Sequence, residues 1–497
     1  MASPSTDTAI LWFRQDLRLA DNPALRAACR DAERLIPVYI LETDPDPWAP
    51  GAASRWWLHH SLAALDAQLR ERGSRLHLMQ GEAAACLQQL VEASGATAVY
   101  WNRRFEPAAI ARDRDIKAGL KQRGIACHSF NAALLVEPWD HLNQQGRPYR
   151  VFTPFWRSLQ PRLEALAPQR TPSQLPGLPR RRGRSLQLDA LGLLPTLDWD
   201  AGFHPVWQPG EAGAHNRLRT LLERRLEDYP EARDRPDAEG TSHLSPHLHF
   251  GELGPRQVLA RIQQHMGAER SAGLVGAGEQ YLRQLVWRDF AHHLLYHFPA
   301  TPDRPLDGRF DAFPWRDAPD ALHAWQRGRT GIPLVDAGMR ELWHTGWMHN
   351  RVRMVVASFL TKNLGIHWLE GARWFWNTLV DADLANNTLG WQWTAGCGAD
   401  AAPFFRIFNP VTQAQKFDPD GVYLRRWLPE LAALPERWLA RPWEAPAAVL
   451  AGADVRLGDN YPEPAVDLKA SRQRALAGWD TIRGKPPNHA TGRGRSG

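Results

Sequence analysis

Short, continuously apolar segments alternate with amphipathic ones over residues 8–130. Four of the apolar segments are predicted to be buried strands, at 9–13, 36–41, 76–79 and 98–101. The segments between them carry apolar residues at helical spacing, at 23–33, 56–72, 83–93 and 109–123. A strand that is apolar on both faces needs cover on both faces, and the intervening helices supply it. Residues 1–130 are therefore predicted to form a doubly wound parallel α/β domain, with any ligand near the carboxyl ends of the strands.

The pattern changes twice after this domain. Residues 131–205 are rich in Pro, Arg and Gly and are predicted to be an interdomain linker. Its basic run at 180–184 is interpreted as a solvated loop, with a nucleic-acid contact as the alternative. An all-helical domain is predicted over 206–483, with helices at 213–226, 255–264, 277–297, 334–345, 349–362 and 371–380. The Gly-, Pro- and Arg-rich residues 484–497 are predicted to be a disordered tail.

Composition narrows the class of protein. No apolar run is long enough to span a membrane, and the first residues lack the features of a secretory signal. The four cysteines have no metal-ligand spacing and are interpreted as reduced thiols of a cytoplasmic protein, at Cys29, Cys86, Cys127 and Cys397. The net charge of +6 permits a polyanionic partner without requiring one. Most of the 23 tryptophans lie after residue 280, more than core packing needs, which points to stacking or electron transfer.

Two segments combine side chains that suit phosphates or bases. Residues 239–246 place small hydroxyl groups and a glycine before a helix-like run, where free N–H groups can hold a phosphate; a plain capped turn is the alternative. Within 281–290, Gln284, Trp287 and Arg288 share one helical face. They could read a base edge, stack on the base and hold a phosphate. A buried Trp with a structural ion pair is the alternative there.

Residues 347–354 are predicted to form one wall of a cavity. Helical geometry puts Asn350 and Met354 one turn apart, which combines an amide with a soft apolar side chain. Arg351 and Arg353 lie beside them, and one or the other is predicted to pair with the carboxylates of a later segment. An exposed basic helix face is the alternative, but it leaves the neighbouring apolar residues unexplained.

Residues 381–396 concentrate two aspartates, two asparagines and two tryptophans. A metal site at Asp381 and Asp383 is disfavoured, because no histidine or third carboxylate is near them in the sequence. Pairing with arginine fits these carboxylates better, and no metal is expected. Trp391 and Trp393 lie two residues apart and would point to opposite sides of an extended backbone, one towards a cofactor and the other towards a substrate.

Six segments, taken in order and with their spacing, resemble the DNA photolyase/cryptochrome family. They are WFRQDLRLADN at 12–22, GTS and LSP within 240–246, WRDF at 287–290, GWMHNR at 346–351, DADLANNTLGWQW at 381–393 and FRIFNP at 405–410. The resemblance runs from residue 8 to residue 480. It implies an N-terminal α/β antenna domain followed by a C-terminal helical domain that binds FAD and DNA.

The resemblance implies a reduced, non-covalently bound FAD. Asn387 matches the position that faces flavin N5, and Arg353 with Asp381 matches the pair that spans the flavin ring. The implied FAD-binding residues are Tyr229, Thr241, Ser242, His243, Leu244, Ser245, Asn350, Arg353, Asp381, Ala382, Asp383 and Asn387. An electron-transfer chain is implied from the flavin to the surface, through Trp391, Trp368 and Trp315.

The resemblance also implies light-driven repair of pyrimidine dimers in single- or double-stranded DNA, with the dimer flipped out of the stack. Trp287, Met354 and Trp393 would wall the dimer pocket. The implied DNA- and dimer-binding residues are Arg233, Gln284, Trp287, Arg288, Asn350, Arg351, Met354, Trp393, Arg406 and Gln413. The absence of a histidine pair beside Met354 favours cyclobutane dimers, whereas Gln284 stands where many such enzymes carry Glu.

Two other functions remain open, a (6-4) photolyase and a cryptochrome-type photosensor without repair activity. Asn387 and Trp393 favour repair. Residues 101–107 lie at a predicted strand end and resemble a segment that lines the antenna pocket of folate-binding relatives. The antenna is therefore predicted to be methenyltetrahydrofolate, with 8-hydroxy-5-deazaflavin or an empty pocket as alternatives. A monomer in a bacterial cytoplasm, associated with the nucleoid when bound to damaged DNA, is expected.

Overall fold

A computed structural model describes residues 6–43, 45–269 and 271–485, which form two compact units. The first unit takes in the chain up to Glu227, then Ser242–His297 and Val380–Asp383; the second takes in Asp228–Thr241, Phe298–Leu379 and the chain from Leu384 onward. The domain limits 1–130, 131–205 and 206–483 stay predictions. All but the first two residues of the tail predicted at 484–497 lie outside the described residues.

The sheet of the first unit has five parallel strands. They are β1 Thr6–Phe13, β2 Ala32–Leu41, β3 His77–Gln80, β4 Ala98–Asn102 and β5 Ala126–Phe130, in the order β3-β2-β1-β4-β5. β1 pairs with both β2 and β4, with Ile10 opposite Ile36 and Val99. Four strands coincide with predicted ones, and the doubly wound α/β fold is confirmed. β5 was not predicted, because its sequence ACHSF is half-exposed and lacks an apolar run.

Twenty α-helices are described. In chain order they are α1 Pro23–Asp31, α2 Ala52–Glu71, α3 Ala83–Ser94, α4 Pro107–Gln122, α5 Phe152–Leu159, α6 Glu211–Arg224, α7 Tyr229–Ala232, α8 Ser245–His249, α9 Pro255–Glu269, α10 Ala272–His297, α11 Pro319–Gln326, α12 Pro333–Thr345, α13 Asn350–Ser358, α14 Trp368–Thr378, α15 Leu384–Ala395, α16 Pro410–Phe417, α17 Val422–Trp427, α18 Glu436–Leu439, α19 Ala447–Gly452 and α20 Leu468–Asp480. The helix predicted at 349–362 is α13 continued by a π-helical turn, Phe359–Leu364. None of these helices is long and apolar enough to cross a membrane.

The core of the α/β part explains the continuous apolar runs of its strands. Ile10, Val38 and Val99 contribute to one buried cluster, which Leu87 of α3 and Ile116 of α4 complete. Removing this apolar surface from water is the main source of stability for such a layer, at about 25 cal/mol per Å². The core therefore holds the carboxyl ends of β1 and β4 in fixed positions.

The predicted linker is ordered where it borders the sheet. The N–H of Leu186 donates to the Leu78 carbonyl at 2.9 Å, and the N–H of Leu78 donates to Oγ of Ser185 at 2.9 Å. The linker thus covers the open edge of β3, which would otherwise present unpaired backbone groups. The basic run 180–184 just before this anchor is a loop whose residues are exposed except for the partly buried Arg182, as interpreted from the sequence.

Candidate active site

A small polar pocket lies at the carboxyl ends of β1 and β4. Gln15 and Asp16 follow β1, and residues 102–106 continue from the end of β4. The Asn102 amide donates to the Asp16 carboxylate at 2.5 Å and ties the two strand ends together. Ligands of parallel sheets bind at this edge. The cavity volume is about 20 Å³, room for roughly one water molecule, so a folate would fit only if neighbouring side chains moved.

Arg104 and Glu106 place fixed opposite charges in this pocket. Nη2 of Arg104 lies 2.7 Å from Oε1 of Glu106. Burial alone would raise the pKa of Glu106, but the Arg104 guanidinium lowers it to about 2. The segment 101–107 therefore lies at a strand end, as predicted, and carries an ion pair that stays charged near neutral pH.

Asp383 lies between two histidines at the same pocket. Its Oδ2 is 3.4 Å from Nε2 of His292 and 3.6 Å from Nδ1 of His249. Burial alone would lower the pKa of His292, but the Asp383 carboxylate raises it above its ordinary value. Burial alone would raise the pKa of Asp383. The charge of His292 and hydrogen bonds from both rings instead hold that pKa well below its ordinary range. Each partner thus favours the charged form of the other.

Replacing Asp383 with Asn is expected to lower the pKa of His292, because burial then acts without the carboxylate. A raised histidine pKa stabilises the fold at low pH, and this contribution is lost as the pH rises through the raised value. Histidine-selective NMR titration measures the pKa, and thermal melts across pH measure the stability. The exposed Asp189→Asn serves as the control. An unchanged His292 titration in the Asp383→Asn protein would contradict the pairing.

Arg288 points into this pocket. One Nη atom donates to the Ala133 carbonyl, and the other donates to the Leu248 carbonyl at 3.4 Å. These contacts give the guanidinium two backbone partners, and the DNA contact predicted for Arg288 stays a prediction. Its observed role is structural: it ties the start of the linker to α10.

The turn before α8 fixes Ser242. The hydroxyl of Tyr281 on α10 donates to Oγ of Ser242 at 2.8 Å, and the N–H of Leu244 donates to the same atom at 3.3 Å. His243 adopts the left-handed region with φ 54°, which makes the turn sharp. Ser242 therefore stabilises the turn, although α8 itself has no side-chain cap, and the phosphate contact stays a prediction.

Gln284 and Trp287 lie one turn apart on α10, both half-buried. The Trp287 ring stacks on Phe152 of α5 with centroids 3.8 Å apart and planes inclined by 10°. This stack holds the indole in one orientation, which suits a side chain that must present an aromatic surface. The stack of Phe152 on Trp287 was not predicted, because α5 lies in the segment interpreted as linker.

α13 brings an amide and a thioether together. Nδ2 of Asn350 lies 3.9 Å from Sδ of Met354, so their predicted adjacency is confirmed. His349 caps the helix, and its Nδ1 accepts the N–H of Arg351 at 3.2 Å. Burial lowers the pKa of His349 to about 4, which keeps the ring neutral and able to accept. The cap fixes where the first turn of α13 begins.

Arg351 pairs with a carboxylate that sequence analysis did not single out. Its Nη2 lies 2.8 Å from Oδ2 of Asp234, and its guanidinium lies 4.4 Å from the centre of the Phe417 ring. Of the two arginines predicted as alternative partners for the carboxylates of 381–383, Arg351 is thus paired elsewhere, and the pairing of Arg353 stays a prediction. The ion pair orients Arg351 and neutralises part of its charge.

The side chains of Arg353, Arg233, Arg406 and Gln413 differ in their contacts and in their exposure. Nε of Arg353 donates to a backbone carbonyl at 2.7 Å. The Arg233 guanidinium lies 5.4 Å from the centre of the Tyr229 ring, a cation–π contact. Arg406 is exposed, and Gln413 is half-buried on α16. An exposed arginine is available to a phosphate backbone, and of these side chains Arg406 is the most accessible.

Asn387, Trp391 and Trp393 all lie on α15. Nδ2 of Asn387 donates to the Ala372 carbonyl on α14 at 3.0 Å, so Oδ1 is the atom of this amide left to accept a hydrogen bond. The extended backbone expected around the two tryptophans is wrong, since both are helical. Two residues on a helix still differ by about 200° in direction, so the two indoles diverge as predicted.

Trp391 packs directly on the backbone of α14. A Cβ added at Gly371 would lie 2.0 Å from the Trp391 ring, so a glycine is needed for the indole to fit. Phe375 and Trp325 approach the ring edge-on, with centroids 5.0 Å and 6.1 Å away. The indole is 2% exposed and is held from several sides.

Trp368 and Trp315 are linked through a residue that sequence analysis missed. The His367 ring lies 5.6 Å from Trp368 and 5.1 Å from Trp315, centroid to centroid. Trp368 is buried and Trp315 is half-exposed. Within the described residues the indole N–H groups of these two tryptophans and of Trp391 have no hydrogen-bond partner. Aromatic rings thus continue from the interior to the surface.

Two family models match this chain. The model described as DNA photolyase matches residues 9–175, and the model described as FAD binding domain of DNA photolyase matches residues 281–481. The deoxyribodipyrimidine photo-lyase of Agrobacterium fabrum is 46% identical over 97% of this chain and 99% of its own length. This chain belongs to the DNA photolyase and cryptochrome family. Its helical part is accordingly an FAD-binding domain.

Both photolyases and cryptochromes are similar to this chain. Cryptochrome-1 of Arabidopsis thaliana is 40% identical over 94% of this chain and 69% of its own length. A crystal structure of a bacterial class III photolyase from Agrobacterium tumefaciens aligns with a TM-score of 0.93 at 46% identity, covering 97% of this chain and 99% of that one. The cryptochrome of Synechocystis sp. PCC6803 aligns with a TM-score of 0.86 at 30% identity, covering 96% of this chain and 100% of that one.

Proposed function

We propose that this chain splits cyclobutane pyrimidine dimers in DNA in a light-dependent reaction that uses FAD. The observation that carries the proposal is the contact of Asn350 with Met354, which offers a damaged base a hydrogen-bonding amide beside an apolar thioether. The similarity to deoxyribodipyrimidine photo-lyases over almost the whole chain supports it. Identity to the two Arabidopsis cryptochromes, 40% and 38%, is below the 46% to the Agrobacterium photo-lyase, which makes the photosensor the second candidate.

The side chains present fit FAD in its reduced state. With Nδ2 of Asn387 directed to Ala372, Oδ1 is suited to accept a hydrogen bond from an N–H group, which a flavin carries at N5 only when reduced. We assign contacts with the flavin ring and its neighbourhood to Arg353, Asp381 and Asp383, in addition to Asn350 and Asn387. Tyr229 and residues 241–245 would bind the phosphates and adjoining groups, and Ala382 would contact the cofactor.

When bound and reduced, FAD supplies on illumination the electron that opens the cyclobutane ring. The protein's part is to position the lesion and exclude water. Trp287, held by its stack on Phe152, and Trp393 would each offer an aromatic surface to the extruded dimer. Gln284 would hydrogen-bond a base as an amide, without the negative charge of a Glu.

Affinity for the DNA around the lesion would come from phosphate contacts and would therefore fall as salt rises. We assign such contacts to Arg233, Arg406 and Gln413. Arg351 would act at the lesion, oriented by Asp234. Arg288 would contact DNA through the N–H groups that its two backbone contacts leave over.

Trp391, Trp368 and Trp315 would carry electrons to oxidised flavin, because indoles can be oxidised and reduced one electron at a time. Trp391 and Trp368 are buried and Trp315 is half-exposed, which supports an electron route that reaches the surface at Trp315. For the antenna we propose methenyltetrahydrofolate, with 8-hydroxy-5-deazaflavin as the alternative. The Arg104–Glu106 ion pair offers polar contacts for a folate, but the small volume of the pocket requires side chains to move.

Repair of defined lesions tests the function. The flavin-loaded, reduced protein should restore thymine absorbance to an oligonucleotide that carries a cyclobutane dimer, under blue light and not in the dark. An oligonucleotide with a (6-4) photoproduct should stay unrepaired. Repair of the (6-4) lesion alone would assign the protein to the other repair class. Repair of neither lesion by protein that still binds flavin would favour the photosensor.

A further inference from the structure

A second, larger cavity lies on the first unit beside the edge strand β3. Its volume is about 240 Å³, against about 20 Å³ for the pocket at the carboxyl ends of the strands. Arg75 and His77, at the start of β3, line one side. Arg182 and Ser185 of the linker line the other side. The cavity is thus built by the linker folding back onto the sheet edge, near the amino end of β3.

The lining is strongly basic. Two guanidinium groups, Arg75 and Arg182, face the cavity, and none of the described residues that line it carries a carboxylate. Nη1 of Arg182 donates to the Pro179 carbonyl at 3.0 Å, which orients the guanidinium without neutralising it. Like charges held together without a counter-ion repel each other at a cost to stability, and a bound anion would remove that cost.

His77 gives an independent indication of a ligand. Its side chain lines the cavity, is 4% exposed, and has an Nε2 atom without a hydrogen-bond partner among the described residues. A buried polar atom without a partner loses the hydrogen bonds it made to water, so native proteins rarely leave one. Burial lowers the pKa of His77, and the charges of Arg182 and Arg75 lower it further. An anion in the cavity would offset both arginines and could accept from the imidazole.

We propose that this cavity binds a small organic phosphate. Two guanidinium groups and an imidazole are the groups that proteins use to bind a phosphate dianion. Ile36 and Leu178 form an apolar part of the lining, which would contact the organic part of the ligand. A cavity of this volume accommodates a small molecule, whereas a duplex backbone cannot bring a phosphate to an imidazole that is 4% exposed. Arg182 of the basic run 180–184 therefore serves a small ligand rather than nucleic acid.

Calorimetric titration of the flavin-loaded protein with phenyl phosphate and with inorganic phosphate, at constant ionic strength, tests the proposal. Both should bind, phenyl phosphate more tightly because of the apolar lining. Arg182→Gln and Arg75→Gln should each weaken phenyl phosphate binding by about tenfold or more, the usual effect of losing a charge-assisted hydrogen bond. Arg181→Gln is the matched control, since Arg181 is exposed and does not line the cavity.

Dimer repair and flavin content should be unchanged in all three variants, because the cavity takes no part in the proposed reaction. Absence of binding by the unchanged protein would overturn the proposal, and so would equal weakening by Arg181→Gln. A loss of affinity for DNA in Arg182→Gln, with phosphate binding retained, would also overturn it and assign the run to nucleic acid.

Discussion

Replacing Trp391 with Phe is expected to abolish nearly all light-driven reduction of the bound flavin. A phenyl ring is far harder to oxidise than an indole, so the first electron donor of the proposed chain is lost. The shape of the site should tolerate the change, because the smaller ring still fits over Gly371. The measurement is the decay of oxidised-flavin absorbance under blue light with an external reductant present. Repair by protein that has been reduced chemically in the dark should persist, which separates the electron route from the repair step.

Trp325→Phe is the matched control for this change. Trp325 is as buried as Trp391, and their ring centroids are 6.1 Å apart. Its N–H donates to the Val356 carbonyl at 3.1 Å, so its replacement costs a hydrogen bond but leaves the proposed chain intact. Flavin reduction should continue in this variant. Loss of reduction with Trp325→Phe but not with Trp391→Phe would place the electron route elsewhere.

The fold was predictable where apolar and polar residues follow a clear local pattern in the sequence. The four strands with continuous apolar runs were found because burial on both faces leaves that pattern in the sequence. β5 was missed because a short, half-exposed edge strand has no such pattern. α5 was missed because it has only eight residues and lies in a Pro- and Arg-rich part of the sequence. Its Phe152 nevertheless supports Trp287.

The site was predictable where its residues are close in sequence. The contact of Asn350 with Met354 follows from helical spacing alone. The ion pair of Arg351 with Asp234 joins segments far apart in the chain, and a single sequence contains no signal that connects them. The same holds for Asp383 and His292. From the sequence alone the carboxylates of 381–383 were matched with Arg351 or Arg353, and the partner that the structure gives Arg351 is Asp234.

Replacing Trp393 with Ala is expected to weaken binding of dimer-containing DNA strongly. Stacking of a base on an aromatic ring contributes about 1–3 kcal/mol, so the loss should be roughly tenfold to a hundredfold in affinity. Binding of undamaged duplex should change little, because phosphate contacts dominate it and the indole makes none. Trp393 is half-buried, so its removal should leave the fold and the flavin content intact. Competition binding with matched damaged and undamaged oligonucleotides measures the ratio of the two affinities directly.

Trp343→Ala separates this specific effect from the general affinity of exposed indoles for bases. Trp343 is 52% exposed and stacks on Trp374 with ring centroids 6.1 Å apart, but it has no proposed role at the lesion. Its replacement should leave the preference for damaged DNA unchanged. If Trp393→Ala lowered the affinity for damaged and undamaged DNA equally, the indole would be a general DNA contact. Recognition of the extruded dimer would then have to depend on the polar side chains of α10 and α13.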